Sequence, residues 1–124
     1  ALPHLARGSV IINTSSIQAY QPAGVLLDYA ATKAAINSIT VNLAEHLGPR
    51  GIRVNAVAPG PIWTPLQPAT RGPEEIAEFG SGTPLGRAGQ PAEVAPAFVF
   101  LASQSTASYV SGSIIGVTGG KGTL

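Results

Sequence analysis

Val10, Ile11 and Ile12 follow one another without polar alternation, between the turn residue Gly8 and a hydroxyl-rich end, Asn13-Thr-Ser-Ser16. Such a run predicts a strand buried on both faces, as in a parallel sheet, with a functional end. After a loop rich in Gln, Pro and Gly the period changes. Ala31, Ala35, Ile39, Leu43 and Leu47 recur at i, i+4 and predict the buried face of a helix from Asp28 to about Leu47. Asp28 reads as its N-cap and Gly48-Pro49 as its stop. Gly51-Ile-Arg-Val-Asn-Ala-Val-Ala58 is a second β-rich run, closed by Pro59-Gly60-Pro61, and the helix between the two runs supplies the crossover of a βαβ unit. From Trp63 to Gly89 the pattern breaks up among Pro, Thr and Gly, with one short helical segment near Pro73 to Phe79 whose Glu74, Glu75 and Glu78 read as a solvated face. Pro91 opens another helix, with Val94, Ala97, Phe98 and Leu101 on one face, and Ser113 to Thr118 forms a third strand. The order β-α-β-loop-α-β predicts an open α/β arrangement: three parallel strands with covering helices, no internal repeat and no linker.

Composition narrows the function. At 124 residues with 44% apolar and 10% charged positions, the chain has room for a single core and is too hydrophobic for a disordered segment. There is no cysteine, which excludes disulfide scaffolds and cysteine-ligated metals; His4 and His46 leave few other ligands, so no metal is expected. A cytoplasmic location fits. The cations Arg7, Lys33, Arg50, Arg53, Arg71, Arg87 and Lys121 are scattered and the net charge is +1, so no basic stripe exists to bind nucleic acid. No apolar run reaches the roughly 18 residues of a membrane span, and the start lacks the pattern of a signal peptide. So few charges would make an unusually apolar free surface, which implies that a partner covers part of it. The absence of any methionine implies that Ala1 follows processing or truncation of something longer.

Two glycine-rich stretches fail as phosphate loops. In Gly80-Ser-Gly-Thr-Pro-Leu-Gly86 the third glycine comes one place late and no strand precedes it; in Gly116-Val-Thr-Gly-Gly-Lys121 a required glycine is Ile115, and Gly122 follows the lysine where Ser or Thr is needed. Nothing local builds the turn of a hydrolase nucleophile. Tyr29 and Lys33 remain, four apart on a periodic helix and therefore on one face. On spacing alone surface helices carry such pairs by chance. Ser16 changes the picture: it ends the first strand, at the sheet edge where open α/β folds bind ligands, and Pro59-Gly60 and Thr64 leave the second strand on the same rim.

Asn13-Thr-Ser-Ser16, Tyr29-Ala-Ala-Thr-Lys33 thirteen positions after Ser16, Arg53-Val-Asn-Ala-Val-Ala-Pro-Gly60 with Thr64, Gly86-Arg-Ala-Gly-Gln-Pro-Ala-Glu-Val-Ala95, Tyr109-Val-Ser-Gly112 and Val117-Thr-Gly-Gly120 together resemble the C-terminal half of a classical short-chain dehydrogenase/reductase (SDR). The resemblance covers essentially the whole chain and implies part of a Rossmann-like, doubly wound parallel sheet. It further implies an oxidoreductase that moves a hydride between NAD or NADP and a small carbonyl or alcohol. Tyr29 is then the general acid or base and also a cofactor-binding residue, Lys33 its electrostatic partner and a ligand of the nicotinamide ribose, and Ser16 the group that orients the substrate oxygen. A phenol normally keeps its proton to about pH 10, and an ammonium one helical turn away favours the phenolate. Pro59, Gly60, Ile62 and Thr64 would face the nicotinamide carboxamide, Gln18, Tyr20 and Trp63 would line the substrate pocket, and residues 65–84 would form a mobile lid. Ser15 points to the opposite side if the strand continues, so it is left out.

The same resemblance marks departures. The glycine-rich turn, the residue that chooses NAD or NADP, and the Asn of the catalytic tetrad have no counterpart here, which implies that residues 1–124 are a single partial domain lacking the N-terminal half. The first strand is expected to expose an edge. A homo-oligomer, dimer or tetramer, or a complementing N-terminal half would then complete it. The alternative function is a non-catalytic remnant or oligomerisation module of the same family.

Overall fold

The computed structural model describes residues 1–122. Three parallel strands, β1 (Val10–Thr14), β2 (Arg53–Pro59) and β3 (Ile114–Val117), lie in the order β1-β2-β3. Val10 registers with Arg53, and Ala56 with Ile114. The helices are α1 (Leu27–Leu47), α2 (Leu66–Thr70), α3 (Pro73–Ala77), α4 (Pro91–Ala102) and α5 (Gln104–Ala107). None of the described helices is long and apolar enough to cross a membrane.

Alternation along β2 separates two cores. Val54, with Ile52 before the strand, packs with Leu47, Leu43 and Ala44 of α1, whereas Val57 faces Val94 and Leu101 of α4. Ile11 joins the first cluster and Ile12 the second, so one helix covers each face of the sheet. Polar side chains fasten the α4 side. Arg53, 7% exposed, donates from Nη2 to the Leu101 carbonyl at 2.9 Å and from Nη1 to Val110 O at 3.2 Å. Carbonyls at the C-terminal end of a helix lack partners within it and carry partial negative charge, which suits a buried guanidinium. Fully buried Asn55 donates to Val110 O and accepts from Ser113 N, tying the approach to β3 onto the central strand.

Several expectations need correction. Val10 to Ile12 are only half-buried, because β1 pairs with β2 alone among the described residues. Asp28 lies inside the first turn of α1 and not at its cap: Leu26 occupies the N-cap, and Asp28 Oδ1 accepts from Tyr29 N at 2.8 Å. The buried side of α1 runs through Ala30, Thr40 and Leu47, while Ala31, Ala35 and Ile39 are exposed. Small apolar residues surround this helix, and the row that meets the sheet includes a threonine: Thr40 Oγ1 accepts from Asn13 Nδ2 of β1 and donates to the Ile36 carbonyl. The α4 face formed as expected, and Pro91 stands at its first turn.

Candidate active-site cleft

A cleft of about 940 Å³ opens at the carboxyl end of the sheet. Ser16, Gln18, Tyr29 and Lys33 line it from the β1–α1 side, and Pro59, Gly60, Ile62 and Thr64 from the exit of β2. The strands deliver these groups there because all three run the same way. Pairing outlasts β1 by one residue, with Ser15 N donating to Val57 O at 2.8 Å, and the chain then turns through a short 3-10 helix at Ile17–Ala19. Ser16, extended and 7% exposed, caps this turn by accepting from Gln18 N at 3.2 Å, which leaves its hydroxyl proton available. Ser15 Oγ donates to the Lys33 carbonyl at 3.3 Å, a bond between strand end and helix.

Tyr29 and Lys33 share one side of α1. Lys33 Nζ lies 5.5 Å from the Tyr29 ring centroid and donates to Thr14 O at 2.8 Å. The ammonium is thus anchored to the β1 terminus beside the phenol. Tyr29 is 41% exposed, and its hydroxyl has no partner among the described residues.

On the opposite wall, Ile62 bridges Gly89 in parallel fashion: Gly89 N donates to Pro61 O at 2.9 Å and Trp63 N to Gly89 O at 2.8 Å. In such a bridge the N–H and C=O of Ile62 itself point away from Gly89. Its N–H finds no partner among the described residues, and Ile62 and Thr64 both line this wall. The turn behind it is braced by Arg87, which donates to both Glu93 carboxylate oxygens at 2.7 and 2.8 Å. These bonds, with the Gln90 N–H, hold the Glu93 carboxyl at about 2, well below the usual range, so the pair stays charged at neutral pH.

Gly60 is required by close approach. A Cβ there would lie 2.8 Å from Thr118 Cα, against backbone that cannot give way without separating the exits of β2 and β3. Gly60→Ala is therefore expected to destabilise the fold by about 1–3 kcal/mol, as overpacking does. Urea unfolding measures it; a midpoint equal to wild type would show that the two exits are not tightly coupled.

Tyr20 and Trp63 do not line the cleft. Tyr20 is half-buried, and burial pushes its phenol up. Trp63 stands behind the wall, its ring 6.1 Å from that of Phe79 and tilted by 52°; Phe79 itself reaches the cleft. The span expected to be a lid contains α2 and α3, and contributes Leu66, Gln67, Arg71 and Phe79. Val94 and Phe98 of α4 and Lys121 also line the cleft, residues to which the sequence assigned no site role. Only the apolar row of α4 carried a signal that could have led to them.

The family model for enoyl-(acyl carrier protein) reductase matches residues 1–121. The chain is 56% identical over 120 residues to glucose and ribitol dehydrogenase homolog 2 of Arabidopsis thaliana, covering 97% of this chain and 42% of that protein. A 3-oxoacyl-[acyl-carrier protein] reductase from Brucella melitensis with bound NAD shares 46% identity at a TM-score of 0.78, covering 90% of this chain and 40% of that one. A short-chain dehydrogenase from Burkholderia cenocepacia in complex with NADP gives 34% and 0.84, with 97% and 48% covered. The chain thus spans about two fifths of the length of the curated relative.

Proposed function

Because the chain belongs to the short-chain dehydrogenase/reductase family of NAD(P)-dependent oxidoreductases, we propose that its cleft carries hydride transfer between NAD or NADP and a small carbonyl or alcohol. The observation that carries this reading is the meeting of Ser16, Tyr29 and Lys33 at the end of β1, in one cleft. The nicotinamide, when bound, supplies the hydride to the carbonyl carbon or accepts it from the alcohol. In reduction the Tyr29 O–H bond breaks and its proton passes to the carbonyl oxygen; in oxidation the proton returns to Tyr29. The Ser16 hydroxyl donates to that same oxygen, a positioning role suited to its buried, capped place. Lys33 keeps its ammonium beside the Tyr29 ring while bonded to the β1 terminus.

The opposite wall fits the cofactor. The Ile62 N–H and the Thr64 hydroxyl are donors for a carboxamide, and Pro59 and Gly60 keep the β2 exit narrow against Thr118. Lys33 is the candidate for the ribose hydroxyls. Titrating NADH and NADPH separately, with nicotinamide fluorescence as the readout, tests the reading. Saturable binding weakened about tenfold or more by Lys33→Ala is expected, the loss of a charge-assisted hydrogen bond.

One observation favours a second role. Ile39 and Val41 on α1 are 52% and 48% exposed, and Val99 on α4 is 69% exposed, so both helices show apolar surface to solvent. We propose that these faces are buried in a homo-oligomer. A uniform oligomer with no affinity for either cofactor would make the chain a non-catalytic assembly module.

A further inference from the structure

Three charged side chains line the cleft, Lys33, Arg71 and Lys121, and all are cations. None of the six carboxylate side chains of the sequence lines it. Lys33 belongs to the reacting set, bonded to the β1 terminus. Arg71 and Lys121 have no such employment. They approach from different parts of the chain, the turn between α2 and α3 and the segment after β3, and also share a smaller recess adjoining the cleft. Glu75 and Glu78 border that recess, yet among the described residues neither forms an ion pair with either cation. Glu75 Oε2 accepts from Gly72 N, and Glu78 Oε2 from the Ser81 hydroxyl.

Arg71 is also pre-oriented. Its guanidinium carbon lies 5.1 Å from the Phe79 ring centroid, and its Nε donates to Gln67 Oε1 at 3.0 Å. Both Nη groups have no hydrogen-bond partner among the described residues. A planar guanidinium fixed at one edge presents a fork that matches a carboxylate or phosphate. The backbone of Lys121 is fixed as well: its carbonyl accepts from Thr118 Oγ1, and the next carbonyl, Gly122 O, accepts from Gln21 Nε2 at 2.8 Å. The cleft that holds these cations and Tyr29 is also lined by the apolar side chains of Leu66, Phe79, Val94 and Phe98, with Gln67 and Thr70 among its polar groups.

We infer that the cleft takes a substrate whose carbonyl or alcohol is joined through an apolar chain to a carboxylate or phosphate, with the anion bound by Arg71 and Lys121. This rests on the reading of the cleft as a hydride-transfer site, but its test does not depend on turnover. The emission of Trp63, the only tryptophan, reports on the cleft through Phe79. Hexan-1-ol, 6-hydroxyhexanoate and 6-hydroxyhexyl phosphate are titrated into the wild-type chain and into Arg71→Gln, Lys121→Gln, Tyr29→Phe and the double cation variant.

At least one anion is expected to bind about tenfold more tightly than hexan-1-ol, a preference that falls with salt and disappears in the double variant. The anion that wins tells carboxylate from phosphate. Equal affinities, no saturable binding of either anion, or a preference that survives both substitutions would overturn the inference. NADPH is titrated alongside, and a loss confined to NADPH would also overturn it, assigning the cations to the cofactor. The preference should persist in Tyr29→Phe; if it does while Tyr29→Phe leaves turnover intact, the hydride-transfer reading fails and the anion site stands.

Discussion

Tyr29→Phe, in any polypeptide carrying this sequence that turns over a carbonyl with NADH or NADPH, is expected to lower kcat by roughly two to four orders of magnitude, the range for a general acid or base. The substitution removes one oxygen and nothing else. That hydroxyl has no partner among the described residues and the side chain is 41% exposed, so neither packing nor the hydrogen-bond network should suffer. Lys33 keeps its bond to Thr14 O and its place beside the ring. Cofactor affinity should therefore change little while turnover collapses, a split that separates a proton-transferring group from a binding one. Turnover within a few-fold of wild type would remove Tyr29 from the reaction.

Leu101→Ala is expected to cost about 2–5 kcal/mol of folding stability, the range for truncating a buried leucine. Leu101 has no exposed surface and packs with Val57 and Val94 between α4 and the sheet. Its carbonyl still accepts from Arg53 after the change, so the methyls alone are tested. Val94 and Phe98, on the same helix, line the cleft, and a loosened α4 should weaken ligand binding alongside stability. Chemical denaturation followed through Trp63 gives the value. A loss under about 1 kcal/mol would mean that α4 settles into the space, since the cost depends on how far a site collapses.

The strands were legible because each is a short β-rich stretch next to turn residues, and the grouping of Ser16, Tyr29 and Lys33 because a strand end and the helix that follows it meet on one rim of a parallel sheet. The buried side of α1 was not legible: its apolar residues lie all around, and Thr40 meets the sheet through a hydrogen bond that hydropathy does not register. The helices α2 and α5, of five and four residues, are too short for a period to show. Arg71 and Lys121 lie far apart in sequence, and neither sits in a motif. Only the fold brings them to a common recess, and the placement of Trp63 behind Phe79 likewise depends on how the 64–79 segment folds back.

The register of the sheet carries a consequence for the order in which the fold assembles during synthesis. Val10 waits for Arg53, and Ala56 for Ile114, so no strand pairs with a near neighbour in sequence. Such long-range parallel pairings form late and slowly. Among the residues that build the cleft, Lys121, just after the last strand, emerges last from the ribosome, so the cleft is incomplete until that segment is made. Until then, Val57 of the central strand and the apolar face of α4 lack the β3 side of their core, which makes this interval the point at which a chaperone would matter most.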